Sequence, residues 1–313
     1  LLFHQDVVVA TLASGSKGNC TYIGDTRRGV LVDCGLSTRQ VLERMDALGL
    51  GDVRVEGILI THEHNDHIAA ARVLDDRLAK RQGQRVPFYL TSGTDQGLPK
   101  VCRPERRVTI QPGQAFSVGA FTVEPFTVPH DTRDPVGFSV QIGDLRCGVI
   151  TDLGRPTRLV ERMLSQLDIA VLEFNHDETM LLDGPYPWAL KQRVKGPHGH
   201  LSNAQAAELL RQGASAKLRH LVLAHLSDDN NTPEVAREAA EAALHSAGLR
   251  RVQVHVAEQR TAKGPFQVSA PLPLRGTAFS GTAQREPAAP RPRRAPAPPK
   301  PIDDLGRQAS LFG

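Results

Sequence analysis

Short β-branched runs alternate with amphipathic stretches through the first 260 residues. Runs at 7–12, 30–33, 57–61, 88–90, 108–110, 121–127, 136–142, 147–152, 169–173, 218–224 and 252–256 predict strands. Helices are predicted to begin at Ser37, Asp66, Pro156, Ser202 and Pro233. Ser202, with Gln205 three residues later, has the form of an N-cap and its reciprocal partner. Thr232-Pro233 has that of an N-cap and first helical residue. Leu42, Met45 and Leu48 recur at helical spacing and predict a buried face. A hairpin-rich middle between βα-like ends favours a mixed α/β sandwich over a doubly wound parallel sheet. There is no internal repeat.

Composition bounds the class. The 313 residues, 40% hydrophobic, suffice for one large domain or two small ones. No apolar run approaches the roughly 18 residues of a membrane span, which excludes an integral helical membrane protein. Residues 1–20 lack a basic segment followed by an apolar block and a small-residue cleavage site, so a cytoplasmic protein is expected. Cys20, Cys34, Cys102 and Cys147 have no CxxC spacing and are expected to be reduced core thiols. Aromatic residues make up 4%, which argues against base-stacking platforms for single strands.

The net charge of +4 is not spread evenly. Residues 271–313 carry seven Lys/Arg and three acids, leaving 31 residues of each sign in positions 1–270. The globular part is therefore neutral, and a cationic groove would have to arise from placement. The segment 287–301 holds seven of the 22 prolines and almost no large apolar side chain. Such a segment cannot repay its ordering entropy and is expected to be a disordered Pro/Arg-rich linker. The expected organisation is a catalytic domain over 1–270, a linker over 271–307 and a terminal peptide over 308–313.

The strongest chemical signal is Thr61-His62-Glu63-His64-Asn65-Asp66-His67, directly after the apolar run at 57–60. Three imidazoles and a carboxylate in one tight loop supply metal ligands, suited to zinc, manganese or iron. His130, Asp152 and His225 each follow a predicted strand and would complete a two-metal site. The order HxHxDH, His, Asp, His, with Val32-Asp33-Cys34-Gly35 upstream, resembles the metallo-β-lactamase-fold hydrolases over residues 6–257. That resemblance implies a four-layer αββα sandwich with the metals at one edge. It implies that His62, His64 and His130 hold one divalent ion (zinc or manganese), and Asp66, His67 and His225 the other. Asp152 would bridge the two, and Asp33 would support the loop from behind.

Further blocks narrow the branch. SGSKGN (14–19), EFNHD (173–177), GHLSN (199–203) and HLSDDNN (225–231) resemble the YycJ/WalJ-like group. This implies 5′→3′ exonuclease activity on double-stranded DNA through a hydroxide bridging two metals. The grammar around His200 also resembles ribonuclease Z-type tRNA 3′-processing enzymes. The central exosite arm of those enzymes has no counterpart, since 180–198 is too short. Catalysis is assigned to Asp66, to His200 as general acid and to Glu173 or Asp177 as its orienting group. Ser14, Ser16, Asn19, Asn175, Ser227 and Asn231 are candidate substrate contacts. Lys191, Arg193 and Lys195 are candidate backbone contacts. The terminal QASLFG, through Gln308, Leu311 and Phe312, resembles the bacterial sliding-clamp-binding motif and implies a clamp partner. Three alternatives stay open: an RNA-processing nuclease, a thioester or lactone hydrolase of the same fold, and a non-catalytic clamp-binding protein.

Overall fold

The computed structural model describes residues 4–271; the expected linker and terminal peptide lie outside the described residues. The first sheet begins with β1 (His4–Ala13), β2 (Cys20–Gly24) and β3 (Arg28–Val32). After α1 (Thr38–Ala47) come β4 (Arg54–Leu59), α2 (Asn65–Ile68), α3 (Ala71–Gln82), β5 (Phe88–Thr91), α4 (Ser92–Gly97) and β6 (Arg107–Ile110). The second sheet begins with β7 (Phe116–Val118), β8 (Phe121–Thr127), β9 (Val136–Ile142) and β10 (Leu145–Ile150). It continues through α5 (Arg158–Leu164), β11 (Ile169–Glu173), α6 (Glu178–Asp183), α7 (Trp188–Lys195), α8 (Asn203–Gly213), β12 (His220–Ala224), α9 (Pro233–Ser246) and β13 (Gln253–Val256). β14 (Lys263–Pro271) then returns to the first sheet.

Each sheet has seven strands, in the orders β14-β1-β2-β3-β4-β5-β6 and β13-β12-β11-β10-β9-β8-β7. Both join an antiparallel portion to a parallel one: β3 to β6 run parallel in the first sheet, β10 to β13 in the second. Period-2 alternation divides the strands between two cores. Val7, Val9, Val30, Val32 and Leu59 face Phe121, Phe138, Val140, Val171 and Val222 between the sheets. Their neighbours Val8, Ala10, Leu31 and Ile58 face outward onto Val41 and Met45 of α1 and Leu74 and Leu78 of α3. On the other side Ile150, Leu172, Leu221 and Leu223 pack on α5, α8 and α9. The result is the expected αββα sandwich.

Local signals placed the helices well. Ser202 and Gln205 form a reciprocal capping box, as do Ser37 and Gln40, and Thr232 caps α9 ahead of Pro233. The helix expected from Asp66 is broken into α2 and α3. The one expected from Pro156 starts two residues later, capped by Thr157. Three strands had no counterpart in the pattern: β2, β7 and β14. β14 contains Pro265 and Pro271, which weaken a strand signal and are tolerated because this strand lies at a sheet edge. The four cysteines are buried free thiols. No helix among the described residues is long and apolar enough to cross a membrane.

Candidate metal centre

Chemistry-bearing side chains gather at the carboxyl ends of the parallel strands of both sheets. Asp33 follows β3, and the 61–67 loop follows β4. Asp152 follows β10, Glu173 ends β11 and His225 follows β12. Register brings the last three together, since Ile150 pairs with Leu172 and Glu173 with Ala224. Among the described residues, the non-glycine positions with positive φ are Asp33, Asp152 and His225, at 61°, 57° and 58°. Backbone in this region is uncommon and costs energy, and here it turns three polar side chains into one cluster. At Gly35 an added Cβ would lie 1.5 Å from the Asp66 carbonyl oxygen, so the chain can close around the loop only with glycine there.

The donor atoms form two groups that meet at Asp152. In the first, His62 Nε2 and His130 Nε2 lie 3.1 and 3.3 Å from His64 Nδ1. In the second, His67 Nε2 lies 3.3 Å from Asp66 Oδ2, and His225 Nε2 lies 3.7 Å from the same oxygen. Asp152 Oδ1 is 3.8 Å from His130 Nε2 and 3.6 Å from His225 Nε2, while its Oδ2 is 3.3 Å from His67 Nε2. Nitrogens sharing a tetrahedral ion at 2.0–2.1 Å stand about 3.3–3.4 Å apart, so these spacings fit metal-ligand edges. Asp152 Oδ2 and His225 Nε2 are buried with no hydrogen-bond partner. Two unpaired polar atoms inside one cluster are costly unless a cation engages them.

Electrostatics agrees with that fit. Burial opposes charge on His67, yet Asp152, Asp33 and Asp66 push its pKa well above the ordinary histidine value. Burial likewise opposes charge on His225, but Asp152, Asp66 and Glu173 push it up to about 10. The carboxylates therefore demand positive charge at this point, which metal ions would deliver while displacing those protons.

Supporting contacts fix the ring orientations. Asp33 Oδ2 lies 2.8 Å from His67 Nδ1, which directs Nε2 into the cluster, and Asp33 also accepts from the Thr61 amide and hydroxyl. His130 Nδ1 lies 3.1 Å from the Gly199 carbonyl. Fully buried Glu173 receives both His200 Nδ1 at 2.7 Å and His225 Nδ1 at 3.2 Å on Oε1, and the Leu153 amide on Oε2. Burial alone would raise the Glu173 pKa, but the two imidazoles hold it below the usual carboxylate range.

A beta-lactamase superfamily domain model matches residues 28–226, which spans the whole cluster from β3 to the residue after His225. The chain belongs to the metallo-β-lactamase superfamily. It is 33% identical over 245 residues to exodeoxyribonuclease YycJ of Bacillus anthracis, covering 77% of this chain and 90% of that one. It is 26% identical over 259 residues to ribonuclease Z of Bradyrhizobium diazoefficiens, covering 67% and 84%. The fold matches the metallo-β-lactamase-fold protein YhfI of Bacillus subtilis with a TM-score of 0.62 at 16% identity, over 85% of this chain and all of the other. The superfamily and the donor cluster together make the chain a metal-dependent hydrolase.

A cavity of about 380 Å³ opens onto the superfamily cluster. His200 lines it beside His64, Asp66, His130, Asp152 and His225. Ser16, Asn175 and Ser227 also line it. Ser14, Asn19 and Asn231 are engaged differently, as braces. Ser14 Oγ accepts from the His225 amide, and Asn19 Nδ2 reaches Asp66 Oδ2 at 3.1 Å. Asn231 Nδ2 donates to the Phe174 carbonyl and to Asn203. Within the Gly/Ser turn, Ser14 thus holds the second sheet's histidine, while Ser16 stays on the cavity wall. Asp177 is not the partner of His200; its carboxylate caps α6 instead.

Sequence reasoning passed over Asp131. Its Oδ1 stands 3.5 Å from His130 Nε2 and 3.8 Å from His64 Nε2, and its Oδ2 accepts from Arg193 Nε at 2.7 Å. Adjacency to His130 was the available signal. Tyr186, Leu190 and Val194 on the cavity wall carried none.

Proposed function

We propose that the protein is a metal-dependent nuclease that removes nucleotides from double-stranded DNA in the 5′→3′ direction. The observation that carries this reading is the joining of two donor groups by Asp152, with Glu173-braced His200 on the wall of the same cavity. Phosphodiester cleavage needs positive charge at the phosphate and a proton for the leaving oxygen, and the cavity offers residues for both. In this reading His62, His64 and His130 would hold one divalent ion, zinc or manganese, Asp66, His67 and His225 would hold a second, and Asp152 would serve both. When bound, such a pair supplies Lewis acidity and lowers the pKa of water.

The chain's own groups do the rest. Glu173 occupies His200 Nδ1, so His200 Nε2 is the nitrogen free to deliver a proton to the leaving oxygen. Because the same oxygen of Glu173 also meets His225, the acid and the donor cluster are held at a constant separation. Asp66 is held towards the donor cluster by Asn19, whose Nδ2 donates to its Oδ2 at 3.1 Å. Ser16 and Ser227 stand on the wall where the phosphate would lie, while Asn175, also on that wall, donates Nδ2 to the His225 carbonyl and holds that loop in place. The similarity to an exodeoxyribonuclease over 77% of the chain supports DNA as substrate. The weaker match to a ribonuclease Z supports tRNA 3′ processing as the second reading.

The same proposal takes 1–270 as the catalytic domain of a cytoplasmic enzyme. Residues 271–307 become its tether and Gln308, Leu311 and Phe312 its anchor on the DNA polymerase sliding clamp. Tethering raises the local concentration of enzyme on clamp-loaded DNA. The test is digestion of 5′-blocked and 3′-blocked duplexes and of precursor tRNA, with a thioester assayed alongside, using zinc or manganese, with and without 308–313. Release of nucleotides from free 5′ ends of DNA, stimulated by clamp only when 308–313 is present, is expected. Cleavage confined to precursor tRNA would install the second reading, and turnover of thioesters alone would overturn both.

A further inference from the structure

α7 alone among the described helices buries none of its side chains. Its residues separate by helical phase. Leu190, Arg193 and Val194 face the cavity, with Tyr186 just ahead of the helix. The other side opens with Trp188, the chain's one tryptophan, 67% exposed, and continues one and two turns on through Lys191 and Lys195.

The helix carries three cations and no acid. Arg193 is paired with Asp131 at 2.7 Å, Lys195 lies 3.6 Å from Glu178, and Lys191 Nζ donates to the Leu182 carbonyl at 2.6 Å. These ties pin the helix beside His130 while leaving the Arg193 and Lys195 side chains half exposed. At about 380 Å³ the cavity is small beside a strand of several nucleotides, and α7 forms one side of the rim over which such a strand would leave.

We propose that Trp188 is a stacking contact for an unpaired base of the substrate strand outside the cavity, with Lys191 and Lys195 following the adjoining phosphates. This rests on the nuclease reading above. Every base offers a π-face, so one indole grips any sequence, and cations along the same stripe neutralise the backbone. The low aromatic content excludes a platform of many rings but not a single ring at this position.

The sole indole is its own reporter. Titrating the holoenzyme with a phosphorothioate-linked oligothymidylate, which resists cleavage, is expected to quench the tryptophan emission. In W188A the affinity for that probe is expected to fall about tenfold, as for the loss of one base stack, with W188F recovering most of it. A parallel assay follows cleavage of the ordinary phosphodiester oligonucleotide. If the wild-type enzyme cuts that strand but its emission does not move, or W188A binds the probe like wild type, the stacking role is overturned and the nuclease reading stands. An oligonucleotide that is neither bound nor cut overturns the stacking role, and the nuclease reading falls with it only if the blocked duplexes are also left intact.

Discussion

The first sheet delivers its candidate ligands in one loop, His62 to His67, so that four donors arrive together from the end of β4. The second sheet delivers His130, Asp152, Glu173 and His225 singly, the first after antiparallel β8 and the last three from the ends of three neighbouring parallel strands. The two halves share strand order and both place an acid behind a histidine: Asp33 behind His67, Glu173 behind His225. They differ in what that acid also touches. Asp33 is spent on Thr61 and the loop backbone, whereas Glu173 reaches His200 on the cavity wall. A local loop is suited to holding metal. A set assembled by strand register can couple a donor cluster to a proton-carrying side chain.

The largest effect should come from the residue both halves share. Asp152→Asn is expected to lower turnover by more than about 100-fold, beyond what loss of a supporting partner costs, and to reduce bound metal by elemental analysis. Retained metal with near-normal turnover would separate the two donor groups and break the comparison. Asp33→Asn and Glu173→Gln are each expected to cost about 10–100-fold, but in different observables. The first should weaken metal affinity in a chelator titration, and the second should lower kcat with metal retained. Equal metal loss in both would erase the division of labour.

Smaller effects sharpen the comparison through stability. Ser37 and Ser202 anchor matching capping boxes, but Ser37 is exposed while Ser202 is buried and also donates to Glu178. By chemical denaturation, Ser202→Ala should approach the ~2 kcal/mol limit for a cap and Ser37→Ala should stay near ~0.5 kcal/mol. The smallest effect concerns the seam where β12 and β13 meet β14. His220 Nδ1 lies 3.0 Å from His255 Nε2, and its Nε2 lies 3.2 Å from the Gln267 carbonyl. Burial, His220 and Arg237 push His255 down to about 4, and burial also lowers His220. The folded protein therefore takes up these protons at lower pH than the unfolded chain. Their stabilising contribution is complete above about pH 6.5 and is lost as pH falls toward 4. The denaturation midpoint of wild type should fall relative to His255→Gln between pH 7 and pH 5; a constant difference would exclude the pair.

Much of this protein is written in local sequence. Period-2 apolar runs set most strands of both sheets, cap residues such as Ser202 and Thr232 set helix starts, and the loop at 61–67 announced metal chemistry, because each depends on neighbours within a few residues. Tertiary structure alone decided the rest. β14 was hidden because an edge strand with two prolines draws its pairing from β1, more than 250 positions away. Ser14, Asn19 and Asn231 became braces because their partners His225, Asp66 and Phe174 come from distant elements. The meeting of Asp152, Glu173 and His225 depends on strand register, and the exposure of Trp188 on how α7 lies along the cavity wall. Spacing along a chain encodes what one turn or one strand can do. Which distant groups share a buried charge is settled only when the sheets pack.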